Sequence, residues 1–171
     1  MDPEPDPEQV ARTIALRQLA AAPRSRSQLA RAMAARGVDA TVAEAVLDRF
    51  TQVGLIDDAE YAQMLVRSRR ESRGLARRAL AVELRRKGIG EQDAERALAT
   101  VDDEAEESSA RELLLRRWRS GPGVDPTAQA RRAIAMLGRK GYPAALASRL
   151  VREMVDDRGA LGGDLIPDDV D

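Results

Sequence analysis

The sequence predicts an all-α protein made of three tandem three-helix repeats, and three observations carry that expectation. Aromatic residues make up only 2% of the chain and Cys is absent, so the rest of the 43% hydrophobic content is Ala, Leu, Val, Ile and Met. Such a core favours close-packed helices over a sheet sandwich. Apolar residues recur at helical spacing along most of the 171 residues, and no run rich in Val, Ile and Thr alternates with period two. Finally, Gly37, Gly88 and Gly141 stand 51 and 53 residues apart in the same apolar surroundings.

Residues 1–9, with Pro3, Pro5 and Pro7 among Asp2, Glu4, Asp6 and Glu8, read as a disordered acidic tail. Val10, Ile14, Ala15 and Leu19 then share a helical face, and Pro23 ends the run. Ser27 is the expected cap of a second helix that turns Leu29, Ala30 and Met33 inward and stops at Gly37. A third helix from about Thr41 carries Val42, Val46, Leu47 and Phe50 and ends at Gly54. Asp57 and Glu60, three apart before an apolar pattern, form the Asp variant of a capping box. Tyr61, Met64, Leu65 and Ser68 line the helix that follows, which Gly74 breaks. The next turns Ala76, Leu80 and Leu84 inward and stops at Gly88. Another starts near Glu91 and carries Ala94, Ala97, Leu98 and Val101.

The acidic run from Asp102 to Glu107 suits the positive end of a helix dipole. That helix brings Leu113, Leu114 and Trp118 and ends at Gly121-Pro122-Gly123, a turn rather than a phosphate cradle. Asp125 or Thr127 caps a helix with Ile134 and Leu137 that stops at Gly141. The last helix, from about Pro143, carries Leu146, Leu150, Val151 and Met154. Residues 159–171, with Asp164, Asp168, Asp169 and Asp171, read as a second disordered acidic tail.

Aligning the three glycines exposes the repeat. Four residues before them stand Met33, Leu84 and Leu137; one after, Val38, Ile89 and Tyr142. Nine after stand Val46, Ala97 and Leu150; ten after, Leu47, Leu98 and Val151; thirteen after, Phe50, Val101 and Met154. Every position is apolar. The expected units are 10–54, 55–101 and 102–158. Each is too small to bury much surface alone, so neighbours should pack together into an elongated array that can curve.

The absence of both Cys and His removes thiol nucleophiles, imidazole bases and the usual zinc ligands. Asp57, Asp58, Asp102 and Asp103 read as helix caps rather than catalytic or metal-binding carboxylates. No Gly-rich loop ends in Lys-Ser or Lys-Thr, so no cofactor or small-molecule substrate is expected. No apolar run reaches the roughly 18 residues of a membrane span, and the acidic start is unlike a signal peptide. The default expectation is a cytoplasmic protein.

Positive charge is concentrated between residues 67 and 87. Nine basic residues there (67, 69, 70, 73, 77, 78, 85, 86 and 87) face only Glu71 and Glu83, giving +7 locally in a chain of net charge −1. On a helical wheel Arg78 and Arg85 project together, away from the stripe of Leu80 and Leu84. Arg86 flanks them, Arg77 lies nearer the apolar boundary, and Arg67 and Arg70 share a side of the preceding helix. Guanidinium groups grip phosphates and carboxylates alike. The candidate binding residues are therefore Arg67, Arg70, Arg73, Arg77, Arg78, Arg85, Arg86 and Lys87, unless the run is only a solvated helix face. Trp118, Tyr61, Tyr142 and Phe50 all read as core, which leaves no expected platform for stacking bases. DNA contact would then be with the phosphate backbone, and the acidic tails would oppose indiscriminate binding.

The stretch from Gly54 to Ala62, GLIDDAEYA, the basic run ending at Arg69-Arg70, then Arg73-Gly74, and Glu83-Leu84-Arg85-Arg86-Lys87-Gly88-Ile89 together resemble the RecX family of bacterial RecA regulators. Leu75 stands where a family member often has Pro, and the third repeat matches more loosely. The resemblance spans about Val10 to Arg158. It implies three tandem three-helix units and a non-enzymatic regulator that lies in the groove of the RecA–DNA filament. Such a regulator limits filament growth, ATP hydrolysis, strand exchange and SOS co-protease activity. The alternatives are a nonspecific DNA-binding architectural protein and a helical-repeat scaffold for another partner.

Overall fold

A computed structural model describes residues 6–119 and 124–163, with side chains as far as Asp157. Among these residues there are nine helices and no strand: α1 (Pro7–Ala21), α2 (Arg26–Ala34), α3 (Ala40–Gln52), α4 (Asp58–Arg73), α5 (Arg77–Arg86), α6 (Glu91–Leu98), α7 (Asp103–Arg117), α8 (Pro126–Arg139) and α9 (Ala144–Gly163). The all-α expectation holds.

Local chemistry sets the helix starts. Asp6 accepts the Glu8 N–H with Pro7 in the first turn, so α1 begins before Val10. A proline there has no N–H to leave unpaired. Ser25, not Ser27, caps α2. It forms a full capping box with Gln28, the Gln form of the motif. Asp57 accepts the Glu60 N–H at 2.9 Å, and Asp102 accepts that of Ala105 at 2.7 Å. Asp125, rather than Thr127, caps α8 by accepting the Thr127 N–H at 2.9 Å. At the other end of the chain α9 continues to Gly163, past the expected boundary at 159. The remaining tail positions, 1–5 and 164–171, lie outside the described residues.

The helices collect into two compact units. One contains residues up to 68 together with 81–100; the other contains 69–80 together with 101 onward. In the first, α1, α2 and α3 pack on one another around Ile14, Leu29, Met33, Val46, Leu47 and Phe50. In the second, α7, α8 and α9 pack together around Leu113, Leu114, Leu137, Tyr142, Leu150 and Val151. Of the fifteen repeat positions, all but Val38 and Met154 are buried, as a periodic core requires. On α4 the inner residues are Tyr61, Ala62, Leu65 and Val66, whereas Ser68 is exposed.

Both units use one joint. In the first, the turn after α5 meets the start of α2: the fully buried Ser25 donates its hydroxyl to the Lys87 carbonyl at 2.5 Å. In the second, the turn after α8 meets the start of α5, where the Ala76 N–H donates to the Lys140 carbonyl at 2.9 Å. Lys87 and Lys140 each precede a glycine with positive φ, Gly88 at 74° and Gly141 at 91°. The glycines also permit close approach. A Cβ on Gly88 would lie 2.2 Å from Ser27 Oγ, and one on Gly141 would lie 2.6 Å from the Ala79 backbone nitrogen. The helix-stop glycines thus serve twice, ending one helix and admitting the first turn of a helix from the preceding repeat.

Candidate partner-binding surface

The expected cationic residues divide between the two units. Arg67, Arg85, Arg86 and Lys87 belong to the first, and Arg70, Arg73, Arg77 and Arg78 to the second. Arg67, Arg73, Arg77, Arg78, Arg85 and Arg86 are exposed, while Arg70 and Lys87 are half-buried. The outward face of α5 follows from its pattern: Leu80 and Leu84 are fully buried, so residues half a turn away must point to water.

In the first unit, Arg85 has no ion pair among the described residues, and Arg86 and Lys87 engage through their backbones. The Arg86 carbonyl accepts from Arg31 Nη2 at 3.4 Å, and the Lys87 carbonyl accepts from Ser25. Their side-chain charges remain available. Asp58, expected to be a helix cap, accepts the Arg26 N–H at 2.8 Å. Burial pushes its carboxyl up, opposed by that hydrogen bond. No group of three potential metal ligands occurs among the described residues.

In the second unit, Arg70 is a structural tie as well as a charge. Its Nη2 donates to the Ala105 carbonyl and to Ser109 Oγ, both at 3.3 Å. Arg77 donates its backbone N–H to Glu106 at 2.8 Å, which makes Glu106 an external cap for α5 and leaves the guanidinium outside. Arg78 has no ion pair among the described residues. The Arg73 carbonyl accepts from Lys140 Nζ.

Sequence reasoning missed that positive charge from the third repeat joins this group. Arg70, Arg73, Arg116, Arg117 and Lys140 line one recess of about 210 Å³, with Glu71 and Glu112 as its acids. Arg116 pairs with Glu112 at 2.8 Å. Lys140 has its pKa pushed down, first by burial and then by Arg117 and Arg73. Burial and the two neighbouring guanidinium groups alike disfavour its charged form. The signal was present in Arg116-Arg117 and Arg139-Lys140, but each run is only two residues long and they lie 22 positions apart, so only folding brings them together. No helix among the described residues is long and apolar enough to cross a membrane.

Comparison with known proteins follows this architecture. Three family models match in chain order: RecX, first three-helix domain, at residues 11–50; RecX, second three-helix domain, at 57–98; and RecX, third three-helix domain, at 104–151. The protein named regulatory protein RecX of Streptomyces coelicolor is 46% identical over 158 residues, covering 92% of this chain and 84% of the relative. That of Thermobifida fusca is 47% identical over 149 residues, covering 87% and 80%. A crystal structure described as regulatory protein RecX superposes with a TM-score of 0.74 at 25% identity, covering 89% of this chain and 74% of that one. The crystal structure of RecX from Lactobacillus salivarius gives a TM-score of 0.72 at 18% identity, covering 86% and 96%, a likeness of fold.

Proposed function

The chain belongs to the RecX family, and from that premise we propose that it is a non-enzymatic regulator, mainly an inhibitor, of a RecA recombinase in the cytoplasm. The observation that carries this reading is the ordered match of all three RecX three-helix domains from residue 11 to residue 151. In this reading the chain works as three repeats, 10–54, 55–101 and 102–158, lying in the groove of the RecA–DNA filament and bridging successive protomers. It limits filament growth, ATP hydrolysis, strand exchange and SOS co-protease activity.

Multivalency supports a filament as the target. Weak contacts on tandem units add up only where the partner repeats at a fixed spacing. The exposed guanidinium groups of Arg77, Arg78, Arg85 and Arg86 are the proposed contacts, with Arg67, Arg70, Arg73 and Lys87 adding to the field. Each can pair with recombinase carboxylates or with DNA phosphates. The phosphate mode would weaken by several powers of ten between low and physiological salt if about six contacts form.

The test is the single-stranded-DNA-dependent ATPase of the cognate recombinase at substoichiometric amounts of this protein. Two variants separate the shares of charge: Arg77→Ala/Arg78→Ala and Arg85→Ala/Arg86→Ala, each checked for unchanged helicity. Suppression by wild type that either pair of substitutions relieves supports the reading and assigns the contact. Equal suppression by all three moves the contact surface elsewhere, and no suppression by wild type overturns the regulator reading.

A further inference from the structure

A second cleft in the 69–80 and 101-onward unit is unlike the recess beside Lys140. It holds about 410 Å³, and its charged lining consists of Arg117, Arg119, Arg132 and Arg139, with no Asp or Glu. None of the four has an ion pair among the described residues. Leu114, Ala133 and Met136 give the cleft an apolar floor, and Trp118 forms part of its wall.

Trp118 differs here from its sequence reading as core. It is the residue at which α7 ends: its backbone is extended (φ −72°, ψ 124°), and its N–H donates to the Leu114 carbonyl. The indole packs against the α7–α9 core yet remains half-buried, so it is braced from behind and still borders the cleft. Across from it, Gln129, Arg132, Ala133 and Met136 recur at three- and four-residue spacing on α8 and share a face. Gln129 Nε2 is buried without an acceptor among the described residues.

We propose that this cleft binds one nucleotide unit of single-stranded nucleic acid. The base lies against Trp118 over the apolar floor, and the flanking phosphates meet the arginines. Stacking on an aromatic face combined with cations along the backbone is how single strands are held without base-specific reading. The spacing favours a strand over a free polyphosphate. Arg132 and Arg139 are seven residues apart, about 10.5 Å along the helix axis. With Arg117 and Arg119 they spread four cations over the cleft lining, which suits the successive phosphates of a chain, and free dTTP is the control for a single compact polyphosphate. Arg117 also lines the recess containing Arg73 and Lys140, so cations continue beyond the cleft within the same unit. The site stands apart from the recombinase reading and is tested without a recombinase.

Trp118 is the single tryptophan of the chain, so intrinsic emission from the full-length protein reports on the cleft. A twelve-residue oligo(dT) should quench it saturably. It should also bind roughly 5- to 150-fold more tightly than an abasic strand of equal charge. Fluorescence anisotropy of labelled oligo(dT) reads the variants. Trp118→Leu, which keeps an apolar group against the core, should erase the preference over the abasic strand. Arg132→Ala/Arg139→Ala should weaken binding and reduce the salt slope by about 1.4, two phosphates at about 0.7 each. Equal affinity for abasic and normal strands, or saturation without change in Trp118 emission, overturns the stacking site. Competition by polyglutamate as strong as that by oligo(dT) overturns it in favour of an acidic polypeptide groove. Equally strong quenching by free dTTP overturns it in favour of a mononucleotide pocket.

Discussion

The Ser25 hydroxyl donates to the carbonyl of Lys87, 62 residues along the chain, at 2.5 Å. The same oxygen accepts the Gln28 N–H at 3.2 Å, so one fully buried hydroxyl caps α2 and fastens it to the turn after α5. Ser25→Ala removes both bonds and leaves a donor and an acceptor unpaired. Loss of a cap costs about 0.5–2 kcal/mol, and a buried unsatisfied polar group about 1–3 kcal/mol. The expected destabilisation is about 2–3 kcal/mol, read from urea unfolding, and a loss below about 0.5 kcal/mol would show that the joint contributes little.

The helix-stop glycines should separate by their surroundings. Gly37 and Gly141 both have positive φ, but a Cβ on Gly37 meets nothing within 4 Å whereas one on Gly141 meets the Ala79 backbone. Gly37→Ala should cost only the left-handed penalty, about 1–2 kcal/mol. Gly141→Ala must also push α8 and α5 apart and should lose clearly more. Equal midpoints in denaturant for the two variants would remove the close-approach argument.

Acid should weaken the ring of ion pairs that ties α7 to α9. Glu107 receives Arg111 at 2.9 Å and Arg149 at 2.5 Å, and Glu153 closes the ring, with Arg111 at 2.7 Å and Arg149 at 3.1 Å. Hydrogen bonds from Arg149 and then Arg111 hold the Glu107 carboxyl down at about 2, from an ordinary 4.5. Because the folded value is the lower, this stabilisation is present above about pH 4.5 and is lost as pH falls toward about 2. Glu107→Gln should flatten the stability profile across that window and leave its shape near neutrality unchanged. The difference should shrink in high salt, since the ring lies at the surface. Parallel wild-type and variant profiles between pH 5 and 2 would refute this.

Charge removal on α4 and α5 should have unequal structural consequences. Arg70 hydrogen-bonds to the Ala105 carbonyl and to Ser109, so Arg70→Ala should cost about 1–2 kcal/mol in thermal or urea unfolding. Arg78 is exposed and unpaired among the described residues, and Arg78→Ala should stay within about 0.5 kcal/mol of wild type. A strongly destabilised Arg78→Ala would show that it is part of the fold and a poor probe of binding.

The helices and their period were legible because each rests on neighbours in sequence. Apolar residues at Met33, Leu84 and Leu137 with Gly four positions later mark inner faces and stops, and Asp57 and Asp102 mark starts. The reading slipped where two residues could do the same local work. Ser25 and Ser27 both suit a cap, and only Ser25 also reaches the Lys87 carbonyl. Trp118 follows Leu114 at helical spacing, but α7 ends beside it and turns the indole toward a cleft.

The sequence alone determined an all-α chain of three repeats and a run of positive charge, since each of these depends on composition or on local spacing. Tertiary structure decided the rest. It set the joint that brings Lys87 to Ser25 and Lys140 to Ala76, and it divided the basic residues between two compact units. It also gathered Arg117, Arg132 and Arg139 around Trp118. Helix periodicity fixes which face a residue occupies, but only packing between helices fixes what that face meets.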